Sequence, residues 1–372
     1  DWSKTLFRDG MCNSLIAEQL NLDYQAYQPA VVYINGNYWG IMNIREKLDE
    51  NYIISNYGLE EEDFDLIDIA GNVRAVAGDT TLYDSLIEYV ETQDMRKMES
   101  YHYISTQMDI DEYYNYLISV IFFSNYDWPG NNVKLWRPRV EGSKWRWIIN
   151  DNDYSFNGGL LNGITHNMIE WATAIDGSHY NPPWSTSLFR NLLKNDYFKN
   201  EFIQRLAILL NLNFNSKNIG EVINDLKINL ESEMPKHIER WKNETDFQGG
   251  KNGIFSMNGW EDEIDNLNEF AFERPLQVRK HVSNYFGLSG TSQLTLKILD
   301  SNSGRVEVND TNLGAFPNRG VYFKDIPIRL KAIPNDGYQF AGWRAISNKI
   351  SNSDSISVVL SGESELTAIF IP

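Results

Sequence analysis

Three carboxylates and an amide stand where a metal-dependent transfer reaction would need them. Asp127 and Asn132 fall within "SNYDWPGNNVKLW" (124–136), and Asp151 and Asp153 within "WRWIINDNDYSF" (145–156), each at the edge of a strongly apolar stretch. An aspartate just beyond a helix faces the negative end of the helix dipole, so its charge calls for a cation or a proton donor. Residues i and i+2 of an extended segment project to the same side, which aims Asp151 and Asp153 into one space. Hard oxygen donors converging from separate elements suit Mg²⁺ or Mn²⁺. Mg²⁺ usually takes only one or two protein carboxylates and completes its shell with water and substrate phosphate. The chemistry indicated is that of a nucleotide-type metal site.

The elements that must position these groups are legible in the pattern. Residues 109–125 read as a helix capped by Asp109 or Asp111, with Tyr114, Leu117, Ile118 and Ile121 on one face, and this helix delivers Asp127. "NVKLWRP" and "KWRWIIND" read as a strand pair around Glu141-Gly142-Ser143, a hairpin that delivers Asp151. Upstream, 3–20 reads as a helix with Ser3 as candidate N-cap and Cys12 on its buried side. "AVVYINGNYWGIMNI" predicts a hairpin turning at Asn35-Gly36, because both central residues must take positive φ. Short helices are expected at 49–57, 80–92 and 94–107 around a strand at "DFDLIDIAG", and the pattern is again helical from Trp184 to Gly287.

The order Asp127, Asn132, hairpin, Asp151 matches that of protein kinases, where an Asp accepts the substrate proton, an Asn five residues on holds one metal, and a later Asp holds the metals on the phosphates. The surroundings differ: Asn125-Tyr126 replace His-Arg, Pro129 replaces a usual Lys, and Asp151-Asn152-Asp153 replaces Asp-Phe-Gly. A plainer reading also fits, in which Asp127 ends its helix and starts a turn with Pro129 and Gly130, and Asp151 and Asp153 are solvated strand-end residues. His166 has no second His at ligand spacing, and the Trp-rich "WRWII" suits core packing.

Composition narrows the classes. The chain has 372 residues, 42% of them hydrophobic and 13% aromatic, as in a folded globular protein with room for two or three domains. Lys plus Arg number 33 against 51 Asp plus Glu, a net charge of −18 that disfavours nucleic acid and favours cations or basic partners. The single cysteine excludes an internal disulfide and a cysteine-based zinc site, and no apolar run is long enough for a membrane span. After Gly287, "LSGTSQ" has linker composition, and short alternating strands follow to Pro372.

"YINGNYWGIMNIREKLDENYI", "SNYDWPGNNVKLWRP" and "KWRWIINDNDYSF" resemble the CotH kinase family, spore coat protein H and its secreted bacterial relatives, which are atypical protein kinases. The resemblance extends over about 1–287, including "STSLFRNLLKNDYFKNEFIQR" and "HIERW". It implies Asp127 as catalytic base, Asn132 and Asp151 as metal ligands and Asp153 as a second acid. It also implies Arg45, Glu46 and Lys47 near the nucleotide, where a kinase chain passes from small to large lobe. ATP with Mg²⁺ or Mn²⁺ is the implied cofactor pair and a secreted or spore-surface protein the implied partner, while the acidic net charge of the chain favours an acceptor that is basic and Ser-rich. The family also carries upstream strands that grip the phosphates. This chain begins after them, so weak ATP binding is expected of it by itself. "GRVEVNDTNLG", "IRLKAIPNDGYQFAGW" and "LTAIF" resemble the divergent InlB B-repeat, or Listeria–Bacteroides repeat, of bacterial surface proteins. There Gly337, Tyr338, Phe340, Gly342 and Trp343 would be turn and core residues.

The expectation is an α+β fold: an atypical protein-kinase-like domain, N-terminally truncated, at 1–288, a linker at 289–291, and a small all-β domain at 292–372. The expected function is an extracellular or cell-surface, CotH-type Ser/Thr kinase. The alternative is a noncatalytic surface protein built on the same scaffold.

Overall fold

The structure, a computed structural model, describes residues 1–17, 19–159, 161–245, 253–345 and 348–372. It is α+β and divides into two compact units, Asp1–Asn195 with Asn213–Pro275, and Asp196–Leu212 with Leu276–Pro372.

The first unit opens with helix α1 (Arg8–Ile16). It starts later than the apolar spacing predicts because Leu6 takes a left-handed φ of 72°, which interrupts helical winding. Ser3 therefore caps nothing, and the Asp1 carboxylate accepts the Arg8 backbone N–H at 3.1 Å. Cys12 is fully buried, as its helical position predicts. Strands β1 (Tyr27–Ile34) and β2 (Asn37–Arg45) pair antiparallel. They turn at Asn35 and Gly36, with φ of 51° and 80°, the mirror-image turn that matches strand twist.

Helix α2 (Glu50–Tyr57) is capped by the Asp49 side chain. Strands β3 (Phe64–Ile69) and β4 (Val73–Ala77) follow, then helices α3 (Thr81–Thr92), α4 (Met98–Gln107) and α5 (Ile110–Phe123). The Asp109 carboxylate caps α5 by accepting the Glu112 N–H at 3.2 Å. After the hairpin of β5 (Val133–Pro138) and β6 (Arg146–Ile148) come helices α6 (Met168–Ala172), α7 (Ser187–Leu192), α8 (Asp196–Leu212), α9 (Ser216–Glu231), α10 (Met234–Trp241) and α11 (Met257–Phe286). Of these, α8 and the part of α11 beyond Pro275 belong to the second unit.

The antiparallel sheet of the first unit has the order β4-β3-β5-β6. Phe64, Leu66, Trp136 and Ile148 from its strands bury against Leu48, Tyr52 and Ile53. Trp145 and Trp147 are 1% and 3% exposed, so the Trp-rich strand is core. The end of α5 packs through Phe122, which stacks on Phe214 with ring centroids 4.7 Å apart and meets Phe270 edge-on at 6.0 Å. Its last carbonyls meet a buried cation. Arg274 of α11 donates to the Ile121 oxygen at 2.8 Å, the Phe122 oxygen at 3.1 Å, the Ile164 oxygen at 2.9 Å and the His166 oxygen at 2.8 Å. Helix α10 holds the first hairpin: His237 Nδ1 accepts the Ile41 N–H at 3.0 Å, and Trp241 donates to the Trp39 oxygen at 2.8 Å.

The second unit contains β7 (Thr291–Ile298), β8 (Gly304–Val308), β9 (Thr311–Asn312), β10 (Asn318–Phe323), β11 (Ile328–Pro334), β12 (Gln339–Ala345), β13 (Asn348–Ser351), β14 (Ser355–Val358) and β15 (Ser364–Ile371). They form sheets ordered β10-β7-β15-β12-β13 and β14-β11-β8-β9. Leu294, Leu296, Val306, Tyr322, Ile328 and Trp343 are buried, and Gly337 takes a turn φ of 85°.

Composition changes at 289–291, but compactness also groups α8 with the strands. The Asn211 side chain explains why: its amide donates to the Val321 oxygen at 3.2 Å and its oxygen accepts the Val321 N–H at 3.1 Å, imitating a neighbouring strand for β10. Gln204 donates to the Ile326 oxygen at 3.1 Å, and Arg329 pairs with Glu201 at 3.0 Å.

Candidate active site

Hairpin geometry brings the residues singled out in the sequence together. Because β5 and β6 run antiparallel with Lys134 opposite Ile148, the start of β5 and the end of β6 lie at one end of the sheet. Asn132 precedes β5 and Asp151 follows β6, so the two meet there, with Asn132 Nδ2 3.5 Å from the Asp151 carbonyl oxygen. Helix α5 arrives at the same end. Ser124 terminates it in a left-handed conformation with φ of 60°. The buried Asn125 then spans the two chain segments, accepting the Asp127 N–H at 3.2 Å and donating to the Asp151 oxygen at 2.8 Å.

Asp127 is half-buried and its two oxygens are in different situations. Oδ2 accepts from Asn131 Nδ2 at 3.0 Å and Asn132 Nδ2 at 3.1 Å. Oδ1 is buried with no hydrogen-bond partner. A buried oxygen left unpaired costs about 1–3 kcal/mol, which marks the place where a ligand donor would be stabilising. Burial pushes the Asp127 carboxyl above the usual aspartate range; the amides of Asn131 and Asn132 oppose the rise and the Asp153 charge adds to it. Asp151 opens onto solvent at the rim, yet the surrounding protein displaces enough water to raise its carboxyl. Displaced water first, then the neighbouring Asp153, push it up to about 6 against the pull of Arg45. Asn132 and Asp151 both sit at positive φ, 56° and 48°. Asn and Asp take this left-handed conformation more readily than other side-chain-bearing residues, which lets each turn the chain sharply at this point.

A cavity of about 230 Å³ adjoins these groups, lined by Asp9, Gly10, Tyr27, Asn43, Arg45, Asp151 and Asp153, with Asp1, Trp2 and Leu6. Pockets for drug-sized ligands run to roughly 300–1,000 Å³, so this space suits phosphate groups and a cation rather than an entire nucleotide. Its donor set fits Mg²⁺ or Mn²⁺. Asn132 and Asp151 supply hard oxygens, Asp153 adds a second carboxylate, and their mutual repulsion is what a cation would relieve. Among the described residues no three Asp, Glu, His or Cys side chains form a closed ligand cage.

The three residues expected near the nucleotide lie in different surroundings. Arg45 lines the cavity, with Asp151 and Asp153 acting on its charge. Glu46 turns elsewhere, accepting from the Ala26 N–H at 2.9 Å and Asn56 at 3.0 Å, beside a separate cavity of about 420 Å³. Lys47 is exposed and pairs with Asp49 at 2.8 Å.

Sequence reasoning assigned no role to Asn125, Asn131 or Asp9. Asp9 is 5% exposed and reaches both Arg45 and the Asn152 backbone. Its signal was present: at helical spacing it shares the face of Cys12 and Ile16, an acid on an apolar stripe. Asn125 and Asn131 had no such signal, since an amide beside a turn is ordinary composition.

The CotH kinase protein family matches residues 1–277, and the divergent InlB B-repeat domain, a type that suggests bacterial surface-associated proteins, matches residues 304–372. No curated protein matches the chain. With most of its length covered, the chain belongs to the CotH kinase protein family and carries a divergent InlB B-repeat domain after it.

Proposed function

We propose that the site is that of a Mg²⁺- or Mn²⁺-dependent protein kinase, which moves the γ-phosphoryl group of ATP to a Ser or Thr hydroxyl of a secreted, spore-coat or cell-surface protein. The observation that supports this most is Asp127, held through Oδ2 by two amides while Oδ1 faces no partner, at the point where Asn132 and Asp151 converge. Phosphoryl transfer asks a protein chiefly to position a hydroxyl and to offset charge.

Asp127 Oδ1 orients the acceptor hydroxyl and takes its proton as the oxygen attacks phosphorus and the bond to the ADP oxygen breaks. A carboxyl raised toward neutrality is better matched to that proton than an ordinary aspartate. Asn131 and Asn132 fix the rotation of the carboxylate. Asn132 and Asp151 are the residues that would hold the divalent cation, with Asp153 beside them; when bound, it supplies charge neutralisation across the phosphate oxygens. Arg45 places a cation on the same cavity. At a net charge of −18, a basic Ser-rich acceptor is the electrostatically favoured partner.

The test is transfer of label from radiolabelled ATP to candidate secreted Ser-rich acceptors. Asp127→Asn is expected to lower the rate about 10²–10⁴-fold while leaving affinity for the Mn²⁺–nucleotide pair nearly unchanged. Asp151→Asn is expected to weaken metal and nucleotide binding together. Normal transfer by Asp127→Asn would overturn the assignment of the base.

A further inference from the structure

Asp9, in the first turn of α1, takes no part in the steps above, yet its side chain links Arg45 to the Asp151–Asp153 segment on the cavity wall. Oδ1 accepts the backbone N–H of Asn152, the residue between Asp151 and Asp153. Oδ2 accepts from the Arg45 guanidinium and from Asn13 Nδ2, the latter at 3.2 Å. Arg45 is further held by Gln25 Oε1 at 2.8 Å. Asn152 and Asp9 are 0% and 5% exposed, so the link between α1 and the acidic segment is dry.

We infer that Asp9 is a positioning residue: it fixes the Asp151–Asp153 segment in place and at the same time holds the Arg45 guanidinium back from those carboxylates. The purpose assigned to the segment rests on the phosphotransfer reading; the link itself does not. The chemistry of the site favours a carboxylate here. Two donors converge from different elements, and a carboxylate offers two acceptor oxygens and no donor. An amide would have to turn its NH₂ toward either the Asn152 N–H or the guanidinium. Without its buried anion, Arg45 would be drawn to Asp151 and Asp153, whose charges already act on it, and would compete with a divalent cation for the same oxygens.

The experiment uses the 372-residue chain with Asp9→Asn, Arg45→Met and the two combined. Mn²⁺ binding is followed by electron paramagnetic resonance, and amide hydrogen exchange is read at Asn152. Asp9→Asn is expected to weaken Mn²⁺ binding about 10-fold, the range found when groups supporting metal ligands are removed. It should also speed exchange at Asn152 about 10-fold or more, while protection in α5 stays unchanged, a split that a general loss of stability would not produce. The combined variant should recover Mn²⁺ affinity to within about threefold of the unaltered chain, because the competing guanidinium is gone, yet keep fast exchange at Asn152. Unchanged exchange at Asn152 in Asp9→Asn overturns the proposal. So does weakened Mn²⁺ binding that Arg45→Met fails to restore. If the unaltered chain binds Mn²⁺ neither alone nor together with ATP, the phosphotransfer reading fails, and the exchange at Asn152 still decides whether Asp9 holds the segment. Should Asp9→Asn not fold, the unaltered chain decides: a protected Asn152 amide supports the link and an unprotected one overturns it.

Discussion

Replacing Arg274 is predicted to cost more than any surface change in the chain. Its guanidinium is fully buried and donates to four carbonyl oxygens, those of Ile121, Phe122, Ile164 and His166. Burial pushes its pKa down to about 9, so it is still a cation at neutral pH, and it lies at the negative end of the α5 dipole. In Arg274→Met the methylene stem keeps most of its packing, but all four carbonyls lose their donor. At about 1 kcal/mol for each of the three buried acceptors left dry, the low end of the range, and less for the solvent-reached His166 oxygen, the loss is about 3 kcal/mol, in line with roughly 3–5 kcal/mol for breaking a buried charged network. Arg274→Lys offers a point charge with three donors to four acceptors and lacks the planar fork, so about 2 kcal/mol is expected. Urea unfolding followed by amide exchange at the end of α5 measures both, because those amides report the first unit alone. A methionine variant within about 1 kcal/mol of the parent, at unchanged slope, would refute the reasoning. So would a lysine variant as stable as the parent.

Three further outcomes are expected. A Cβ at Gly130 would lie 2.5 Å from Pro182 Cδ and 2.7 Å from the Tyr180 oxygen, which accepts the Gly130 N–H; Gly130→Ala should cost about 1–3 kcal/mol and disable the Asp127 loop, read by melting and transfer assays. Burial lowers His237 to about 4, so its contribution is complete above the unfolded value of 6.5 and is lost as pH falls toward 4. Stability measured across that window should drop by about 2–3 kcal/mol on this account, and His237→Asn should remove that share while the share from His166, also near 4, remains. Glu112 is fully buried, with Oε2 unpartnered, and desolvation raises its pKa well above 4.5. Its folded form retains a proton that the unfolded form releases, so stability falls as pH rises above 4.5. Glu112→Gln should match the parent at pH 4.5 and exceed it at pH 8 by thermal melting.

What the sequence disclosed was local, and what it withheld depended on distant partners. Asn35-Gly36 and the Asp109 cap are readable because the required φ values and the cap donor lie within a few residues. Convergence of Asp127, Asn132 and Asp151 followed from recognising one hairpin. The start of α1 was misjudged because Leu6 adopts positive φ, which an apolar period cannot express. Asp9 meets a backbone group 143 residues away, and nothing near it in the chain names that partner. The association of α8 with the strands was equally hidden, since Gln204 and Asn211 read as ordinary polar positions on an amphipathic helix.

Asn211 also decides where the β unit can grow. An exposed outer strand invites any extended peptide to continue the sheet, and proteins commonly block that with charge, bulges or a covering element. Here a single amide occupies both hydrogen-bonding groups of Val321 on the outermost strand of the five-stranded sheet. Gly320 beside it leaves no room for a side chain, since a Cβ there would fall 2.8 Å from that amide. That border is closed to a foreign strand, and a stacked array of such units would have to extend from the β13, β14 or β9 border instead.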